Sequence, residues 1–431
     1  MTRVPFISMM LALVVMGCEY VAGINDRSTD PNFGVAGAGG ESLGGSGGQG
    51  SGGVSGEGTD GGVPSVGGAG GEISVAGAGG FGDGGTAGGP SEPCVPNPCQ
   101  NDASCSATES GVACDCVGPW AGPLCDLPVF EPITDGNATE ARGISADGAI
   151  VVGRVEIEQR VRAFRFTHES GLEELPLIPS AVGCEANGIS GDGSVTVGKC
   201  SLGDGTTRAV SWSGEDAVSL IPNDTAGNAF GTNRDGSVIV GKNSNGAFSW
   251  RGDLLSALGS GEARATSGDG SLVVGGFPTE GQAFRYSEAS ARRDLQFKDF
   301  YVSSTARATD AAGTTIVGYA RQQDGTSLPF RVVGATSAAV LALPGSEAYA
   351  VSADGTVLAG GGKGEAWIYR EDQYAPLVTV LANAGVTTVP MDYTLESAVA
   401  ISADGLVLAG NAKASSGLRA FVVRLRTKDL P

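Results

Sequence analysis

The chain has 431 residues, 72 of them glycine, and a formal net charge of −20 at pH 7. This charge argues against nucleic acid and against anionic membrane surfaces as direct partners, because both are bound by clustered Lys and Arg. The nine cysteines, most of them close together, indicate an oxidising compartment.

Residues 1–17 have the pattern of a signal peptide, with an apolar run over residues 6–16 that is too short to span a bilayer. The run ends in Val-Met-Gly followed by Cys18, which resembles the lipobox of bacterial lipoproteins. The resemblance implies cleavage before Cys18 and its modification by acyl chains such as palmitate. An ordinary cleaved signal is the alternative. Because Glu19 rather than Asp follows, we expect an outer-membrane anchor and exposure at the cell surface.

Residues 18–92 comprise the N-terminus that follows cleavage and a linker rich in Gly, with Ser, Ala and Thr filling most of the rest. Such a sequence cannot bury enough apolar surface to offset its chain entropy. We therefore predict a disordered, flexible tether with a root-mean-square span of about 45 Å, which holds the folded part away from the membrane.

Residues 93–126 contain six cysteines and almost no core-forming sequence, so this segment needs cross-links to fold. Six cysteines allow fifteen pairings, and the spacing alone leaves them open. A zinc site is disfavoured because no His lies nearby. The cysteines are Cys94, Cys99, Cys105, Cys114, Cys116 and Cys125.

This spacing, together with the Gly-Pro-Trp-Ala-Gly sequence of residues 118–122, resembles an EGF-like domain. The resemblance implies three disulfides: Cys94–Cys105, Cys99–Cys114 and Cys116–Cys125. The acidic pair and the later aromatic residue of calcium-binding members are missing, so we expect no calcium site. The module is interpreted as a protein contact or as a disulfide-hardened spacer.

A pattern recurs seven times from residue 141 onward: an extended run that begins with Ala, a Ser-x-Asp-Gly turn, and an apolar run that ends in Gly. Four short β segments in a repeat of about 43 residues are typical of a propeller blade. We predict an all-β protein in which residues 127–431 form a seven-bladed β-propeller. Six or eight blades are the alternatives, because one interval between repeats is short.

The Ser-x-Asp-Gly turn is interpreted as the loop that connects the two strands of a β-hairpin. Gly supplies a positive φ and Asp accepts backbone N–H groups, which predicts a three-residue loop with a bulge. A calcium ligand or a catalytic acid is the alternative, but each turn has a single acid and the fifth repeat, at Ala311-Ala312-Gly313, has none.

The second repeat contains the two remaining cysteines. A loop of residues 191–193 would pair Ser190 with Ser194, and counting back by twos places Cys184 opposite Cys200. We therefore predict a disulfide between Cys184 and Cys200, which leaves Cys18 for the lipid.

One end of the repeat region lacks a strand that the other end can supply. The seventh repeat has no outer strand, and Val129–Ile133, before the first repeat, has the residue pattern of an outer strand. A closed ring in which Val129–Ile133 completes the last blade would remove exposed edges. The apolar spacing within residues 376–385 predicts one short helix, expected to replace a strand.

The repeats also resemble the extracellular HAF repeats of bacterial surface proteins, named for a His-Ala-Phe tripeptide. Ala-Phe is present in most copies, but other residues stand where the His would be. The resemblance implies a surface location and no defined activity.

The residues provide no catalytic constellation, no metal site and no cofactor motif. The one histidine, His168, lies in a turn between strands, and we expect it to be exposed. Trp212, Trp250 and Trp367 recur at one blade position, which favours core packing over a sugar platform.

We predict a monomeric, lipid-anchored surface protein that binds or adheres to an unknown protein or glycan ligand. The long interval between repeats near residues 374–396 is expected to overhang one rim, with Tyr374 and Tyr393 as candidate ligand contacts. The alternatives are a glycoside- or polysaccharide-processing enzyme with carboxylates in a central pocket, and a purely structural envelope protein.

Overall fold

The computed structural model describes most of the chain after the linker. The described residues are 94, 96–100, 103–108, 111–116, 120–121, 124–125, 127–214, 216–297, 301–334, 339–341, 343 and 347–431. The predicted signal peptide, Cys18 and the predicted tether lie outside these residues. No helix within the described residues is long and apolar enough to cross a membrane.

The cysteine-rich module is built from two small antiparallel pairs. Strands β1 (Ser104–Thr108) and β2 (Gly111–Asp115) form one pair, and β3 (Trp120–Ala121) and β4 (Leu127–Pro128) form the other. The module's disulfides join the pairs that the EGF-like resemblance implies: Cys94–Cys105, Cys99–Cys114 and Cys116–Cys125. Buried cysteines therefore take the place of an aliphatic core.

The remaining strands form the seven four-stranded antiparallel blades of a propeller. Single bridges, Gly276 with Thr305 and Gly361 with Ser397, join blade 4 to blade 5 and blade 6 to blade 7 as continuous sheets. Strand β5 (Phe130–Ile133) comes first along the chain and belongs to the last blade. Blade 1 is β6 (Ala138–Ile144), β7 (Ile150–Ile157), β8 (Arg160–Thr167) and β9 (Gly171–Glu174). Blade 2 is β10 (Ala181–Ile189), β11 (Val195–Leu202), β12 (Thr207–Ser213) and β13 (Asp216–Ser219). Blade 3 is β14 (Asn228–Thr232), β15 (Val238–Asn243), β16 (Gly246–Arg251) and β17 (Leu254–Ala257). Blade 4 is β18 (Glu262–Thr266), β19 (Val273–Gly276), β20 (Phe284–Ser287) and β21 (Ala291–Asp294). Blade 5 is β22 (Tyr301–Thr309), β23 (Thr315–Gln322), β24 (Ser327–Val333) and β25 (Ala339–Val340). Blade 6 is β26 (Glu347–Val351), β27 (Val357–Gly361), β28 (Trp367–Arg370) and β29 (Gln373–Pro376). Blade 7 is β30 (Thr394–Ile401), β31 (Val407–Ala414), β32 (Gly417–Arg424) and β5.

The predicted ring closure is present. Phe130 pairs with Val423, and Ile133 pairs with Ala420, so a strand from before the first repeat completes the last blade. Phe130 is buried and stacks on Phe421, with ring centroids 4.9 Å apart. The closure leaves the seventh blade with the same number of strands as the others and confirms the seven-bladed β-propeller.

The core is divided among the interfaces between blades. Within the described residues there are seven hydrophobic clusters outside the cysteine-rich module, and each joins two adjacent blades. Trp212 and Trp367 are buried in two of them, and Trp250 packs at the side of a third. These tryptophans therefore pack in or against the core, as predicted. They do not share one blade position, however, because Trp367 lies opposite Gly360, where blades 2 and 3 have Val210 and Phe248.

The glycine that ends the second apolar run marks a close approach of three strands. In blade 1, Gly153 of β7 pairs with Ala141 on one side and with Phe164 on the other. A Cβ at Gly153 would lie 1.9 Å from the backbone oxygen of Glu140 and 2.9 Å from the ring of Phe164. The position therefore admits only glycine, which explains its recurrence in the repeat.

The turn glycine adopts the predicted conformation, and the turn acid has the predicted role. Gly193 has φ +75° and donates its N–H to the Ser190 oxygen. The Asp192 carboxylate accepts the Ser190 hydroxyl at 2.6 Å and the Ser194 N–H at 2.9 Å. The turn of the fifth repeat was expected to have no acid, and this was wrong: Asp310 stands at the serine position and accepts the Thr314 N–H. The acid therefore stabilises the hairpin.

The loop length was predicted incorrectly. The Ser190 N–H bonds to the oxygen of Val195, so the loop contains four residues, 191–194, rather than three. Between Ala186 and Gly188 the register shifts by one, because Asn187 is an extra residue in β10. The two differences cancel, and Cys184 lies opposite Cys200 and is bonded to it.

The predicted short helix is present as α1 (Leu377–Asn383), with Leu377, Val380 and Leu381 buried. Its expected place was wrong, because blade 6 already has four strands and α1 follows the last of them. A single 3₁₀ turn, Thr427–Asp429, lies near the C-terminus.

Candidate functional site in the central cavity

The extra residue seen in β10 is a general feature of the ring. The first strand of every blade has a register shift directly after a constant Ala, and the next paired residue is Gly or Ala. A bulge of this kind leaves one residue outside the ladder and redirects its side chain. We call these seven the bulge residues: Arg142, Asn187, Phe230, Arg264, Arg307, Tyr349 and Val399.

All seven bulge residues line one central cavity of about 500 Å³, a volume within the range of small-molecule sites. Three more lining side chains come from the first strands, two positions before the bulge: Glu140, Asn228 and Ser397. Asn411 of β31 also lines the cavity, and its amide bonds to both backbone groups of Ala141. One variable side chain from each blade therefore converges on a single space.

The opposite end of the same strands is closed by the turns. The first turn residue is Ser in five blades, Asn233 in blade 3 and Asp310 in blade 5. In each turn the residue that follows it, or in blade 2 the next one, Asp192, donates its N–H to a carbonyl in the next turn. The seven bonds are 2.8–3.2 Å long and run Ala146 to Gly191, Asp192 to Arg234, Arg234 to Gly268, Gly268 to Ala311, Ala311 to Ala353, Ala353 to Ala403, and Ala403 to Ala146. Hydrogen-bonded backbones lie about 4.8 Å apart, so a ring of seven has a radius of about 5.5 Å. The turn end is therefore narrow and rigid.

Arg142 is held by three side chains of the cavity wall. Its Nε lies 3.1 Å from the Glu140 carboxylate, and its Nη1 lies 2.6 Å from both Glu185 and the Asn187 side-chain oxygen. Burial alone would raise the pKa of Glu185, but the charges of Arg142, Lys199 and Arg154 outweigh it and hold the pKa below its ordinary value. This cluster contains three cations, Arg142, Arg154 and Lys199, and two carboxylates, Glu140 and Glu185.

Arg264 is held by one carboxylate and one aromatic ring. Its Nη2 donates to Glu262, and its guanidinium carbon lies 4.0 Å from the centroid of the Phe230 ring, a cation–π geometry. Burial, and then the positive charge of Arg307, lower the pKa of Arg264. Glu262 also accepts from Lys242 at 2.6 Å; burial alone would raise its pKa, but the cations outweigh it and keep that pKa low.

Arg307 lies in the neighbouring blade between two tyrosines. Its guanidinium carbon is 5.3 Å from the Tyr319 ring centroid and 5.6 Å from that of Tyr349, and its Nη2 lies 3.3 Å from Glu347. Burial, and then the negative charge of Glu347, raise the pKa of Tyr349, so its hydroxyl keeps its proton and can donate a hydrogen bond.

The carboxylates of the wall are arranged as partners of cations. Glu140, Glu185, Glu262 and Glu347 each lie within ion-pair distance of an arginine. A general acid in glycoside hydrolysis needs a raised pKa, whereas the pKa of Glu185 and that of Glu262 are lowered. Among the described residues, no group of three or more His, Cys, Asp or Glu side chains could hold a metal ion.

The two tyrosines predicted at the rim lie outside this cavity. The Tyr374 hydroxyl donates to Glu365 at 2.7 Å, and Tyr393 packs edge-on against Phe130 at 6.1 Å. Burial, and then the bond to Glu365, raise the pKa of Tyr374, and burial raises that of Tyr393. Their proposed contact with a ligand stays a prediction.

His168 is half exposed in a separate groove of about 320 Å³ beside the closing strand. Its Nδ1 lies 3.0 Å from the carboxylate of Glu131. The groove combines strands of blades 7 and 1, away from the bulge residues.

Sequence reasoning missed the bulge residues, although the repeats carried a signal for them. In every copy a constant Ala is followed by a residue that changes from repeat to repeat, and then by Gly or Ala. A variable position between two small constant ones is unexpected in a regular strand, and it marks a side chain released from packing.

The EGF-like domain family matches residues 94–124 of the chain. No curated protein matches it. Similar solved structures include oligogalacturonate lyase from Vibrio parahaemolyticus, with a TM-score of 0.49 and 10% identity over 76% of this chain and 97% of that one. An oligogalacturonate lyase in complex with manganese has a TM-score of 0.48 and 9% identity with the same coverage. TolB from Acinetobacter baumannii has a TM-score of 0.32 and 13% identity over 77% of this chain and 63% of that one. These scores lie below 0.5, and the seven-bladed fold rests on the strand pairing itself.

Proposed function

We propose that the protein is a lipid-anchored surface protein that binds or adheres to a protein or glycan ligand through the central cavity of its propeller. The observation that carries this proposal is the convergence of one variable side chain from each of seven blades on one cavity. Because a bulge residue lies outside the strand ladder, its identity is free to serve binding, and the seven positions present Arg, Asn, Phe, Tyr and Val to the cavity. Loops and bulges on a rigid ring are where binding groups are usually placed.

The anchoring part of the proposal is supported by the cysteines. Eight of the nine are paired in four disulfides, which indicates an oxidising compartment and leaves Cys18 as the remaining one. In this proposal the EGF-like module acts as a spacer between anchor and propeller. Labelling with a lipid precursor tests the anchor: label is expected in the wild type and absent from Cys18→Ala.

Binding without turnover is proposed for the cavity because each of its carboxylates is ion-paired with an arginine, and the pKa of Glu185 and that of Glu262 are lowered. Such groups position cations instead of donating protons. Hydrolysis or cleavage of a bound glycan, abolished by replacing one of these glutamates, would contradict this part of the proposal and favour the polysaccharide-processing alternative.

The test of cavity binding is a comparison of full-length variants on an array of glycans and on isolated cell-envelope surfaces. Val399→Trp should fill part of the cavity without changing its charge, and Ser397→Trp should do the same from a second position. Val378→Trp is the matched control, since Val378 is 54% exposed on α1. We expect binding to fall at least tenfold in both cavity variants and to stay unchanged in the control. Equal binding by all variants would overturn the proposal.

A further inference from the structure

Two of the bulge residues, Arg264 and Arg307, lie in adjacent blades and line the same cavity. They are close enough for the charge of Arg307 to lower the pKa of Arg264. Two cations brought together in a partly buried cavity repel each other unless a negative group lies near both. Each of the two has one carboxylate partner, Glu262 for Arg264 and Glu347 for Arg307, and among the described residues no carboxylate is paired with both.

The hydrogen bonding of Arg264 and Arg307 also leaves donor groups for a ligand. Among the described residues, each guanidinium donates one hydrogen bond from its Nη2, Arg264 to Glu262 and Arg307 to Glu347. The Nε atom of each is buried and has no partner among these residues. Arg142, on another part of the wall, instead uses both Nε and Nη1 on carboxylates. Each Nε is too deeply buried for a ligand to reach, so an incoming acceptor would be bound by the Nη1 groups, which donate no hydrogen bond among these residues.

The local charge balance favours a negative ligand. Lys242 shares Glu262 with Arg264, so the group comprises three cations, Lys242, Arg264 and Arg307, and two carboxylates, Glu262 and Glu347. One positive charge is left over, the same balance as in the cluster of Arg142, Arg154 and Lys199 with Glu140 and Glu185, so the wall is cationic on both sides. Two guanidiniums from adjacent blades are what the Arg264 and Arg307 group adds. The acidic chain as a whole therefore presents a locally cationic patch at the centre of its ring.

The guanidiniums are also held in place before any ligand arrives. The ring of Phe230 lies 4.0 Å from the Arg264 guanidinium carbon, and the rings of Tyr319 and Tyr349 flank that of Arg307. Such contacts reduce the side-chain entropy lost on binding. Arginine forks match the two oxygens of a carboxylate or phosphate.

We propose that Arg264 and Arg307 form an oxyanion site that binds the carboxylate or phosphate of a small acidic molecule of sugar size. This inference rests on the proposed cavity binding and names its ligand class. The cavity volume accommodates one or two sugar rings, and the amides of Asn187 and Asn228 line the same space as hydrogen-bonding partners for hydroxyl groups.

The test is calorimetric titration of the full-length protein with glucuronate, glucose 6-phosphate and glucose. At least one acid is expected to bind saturably, and glucose at least tenfold more weakly. The stronger of the two acids identifies carboxylate or phosphate as the preferred group. Absence of saturable binding by both acids, or equal binding of glucose, overturns the inference.

The variants are Arg264→Gln combined with Arg307→Gln, and Arg293→Gln as the control. Arg293 lies exposed on β21, outside the cavity, and loses the same charge per substitution. The double variant should bind the acid at least tenfold more weakly and the control should match the wild type. Should the double variant misfold, Arg264→Lys with Arg307→Lys keeps both charges but removes the forks, and a loss of at least threefold is expected.

Unchanged acid binding in a folded Gln or Lys double variant overturns the oxyanion site. Loss of array binding in Val399→Trp together with full array binding in the Gln double variant would also overturn it, and would leave the proposed cavity binding intact. The two proposals therefore fail in different experiments.

Discussion

In every blade the first two strands form a hairpin whose two ends differ. The residues at the turn end are nearly constant among the repeats, whereas those at the bulge end vary. At the turn end the residues are nearly the same in each copy, and backbone hydrogen bonds pass from blade to blade until the ring closes. At the bulge end the same strands carry guanidinium, amide, aromatic and aliphatic side chains around a cavity. One hairpin thus provides scaffold at one end and a variable surface at the other.

The difference follows from the physical demands on each end. A closed ring of seven turns requires equal spacing, so the turn residues are fixed by backbone geometry and by the hydroxyl and carboxylate that hold each loop. A bulge residue is outside the strand ladder, so its identity does not affect the pairing on either side. Substitutions at constant and variable positions should therefore have different consequences, and the following experiments test that expectation.

The largest effect is expected where a constant glycine is crowded. In Gly198→Ala the new Cβ would lie 1.9 Å from the backbone oxygen of Glu185, so strands β10 and β11 must move apart. Overpacking of this kind costs about 3 kcal/mol. Gly203→Ala is the control, because its Cβ would meet nothing closer than Val182 at 3.8 Å, and it should change stability by less than about 0.5 kcal/mol. Equal stabilities in urea unfolding would contradict the close-approach explanation.

A smaller loss is expected at the turn serine. Ser352 is buried, donates its hydroxyl to Asp354 and accepts the Val357 N–H at 3.0 Å. Ser352→Ala leaves that buried N–H without an acceptor and should cost about 1–2 kcal/mol.

Ser352→Asn should restore at least half of this loss, because Asn233 stands at the same position in blade 3 and accepts the Val238 N–H at 2.9 Å. Thermal and urea unfolding of both variants measure the difference. An Asn variant no more stable than the Ala variant would show that the hydrogen bond is not the cause.

The hydrogen bonds to the turn acids make us expect a modest dependence of the protein's stability on pH. Hydrogen bonds from the Ser267 hydroxyl, and then from the Ser271 N–H, lower the pKa of Asp269 to about 2. A lowered pKa stabilises the fold above the unfolded pKa of about 3.8, and the contribution is lost as the pH falls toward about 2. The wild type should therefore be more stable than Asp269→Asn at pH 5, and the gap should close by about pH 2. Urea unfolding at successive pH values checks this, and a gap independent of pH would count against the turn interpretation.

The smallest effect is expected at a bulge residue. Val399 is only partly buried; it lines the cavity and also packs at the side of the cluster between blades 7 and 1. Val399→Thr replaces one methyl group by a hydroxyl beside the cavity. The free energy of unfolding should change by less than about 0.5 kcal/mol. A loss above about 1.5 kcal/mol would mean that the bulge position is a core position, and the contrast between the two ends would disappear.

The repeat pattern was sufficient to predict the ring, because turn chemistry and strand alternation are local and recur seven times. The pairing of Cys184 with Cys200 was also predicted, although only because an underestimated loop and an unforeseen bulge at Asn187 shift the register in opposite directions. The closing strand was predicted because the last repeat lacks one and Val129–Ile133 is left over; the observed strand is Phe130–Ile133.

The cavity could not be predicted in the same way. Arg264 and Arg307 are 43 positions apart in sequence and meet only because two blades stand side by side around an axis. Nothing local distinguishes a bulge residue that faces the axis from one that faces solvent, so Tyr374 and Tyr393, on the longest interval between repeats, were chosen instead.

The central claim is that the bulge end of the ring binds the ligand while the turn end only supports it. Hydrogen–deuterium exchange of the full-length protein, with and without the acidic sugar that binds more tightly, compares both ends in one measurement. We predict slower exchange in the peptides that contain residues 262–264 and 305–307, and no change at the turns around residues 145–148. Protection confined to residues 374–396 or to the EGF-like module, or no protection anywhere, would contradict the account.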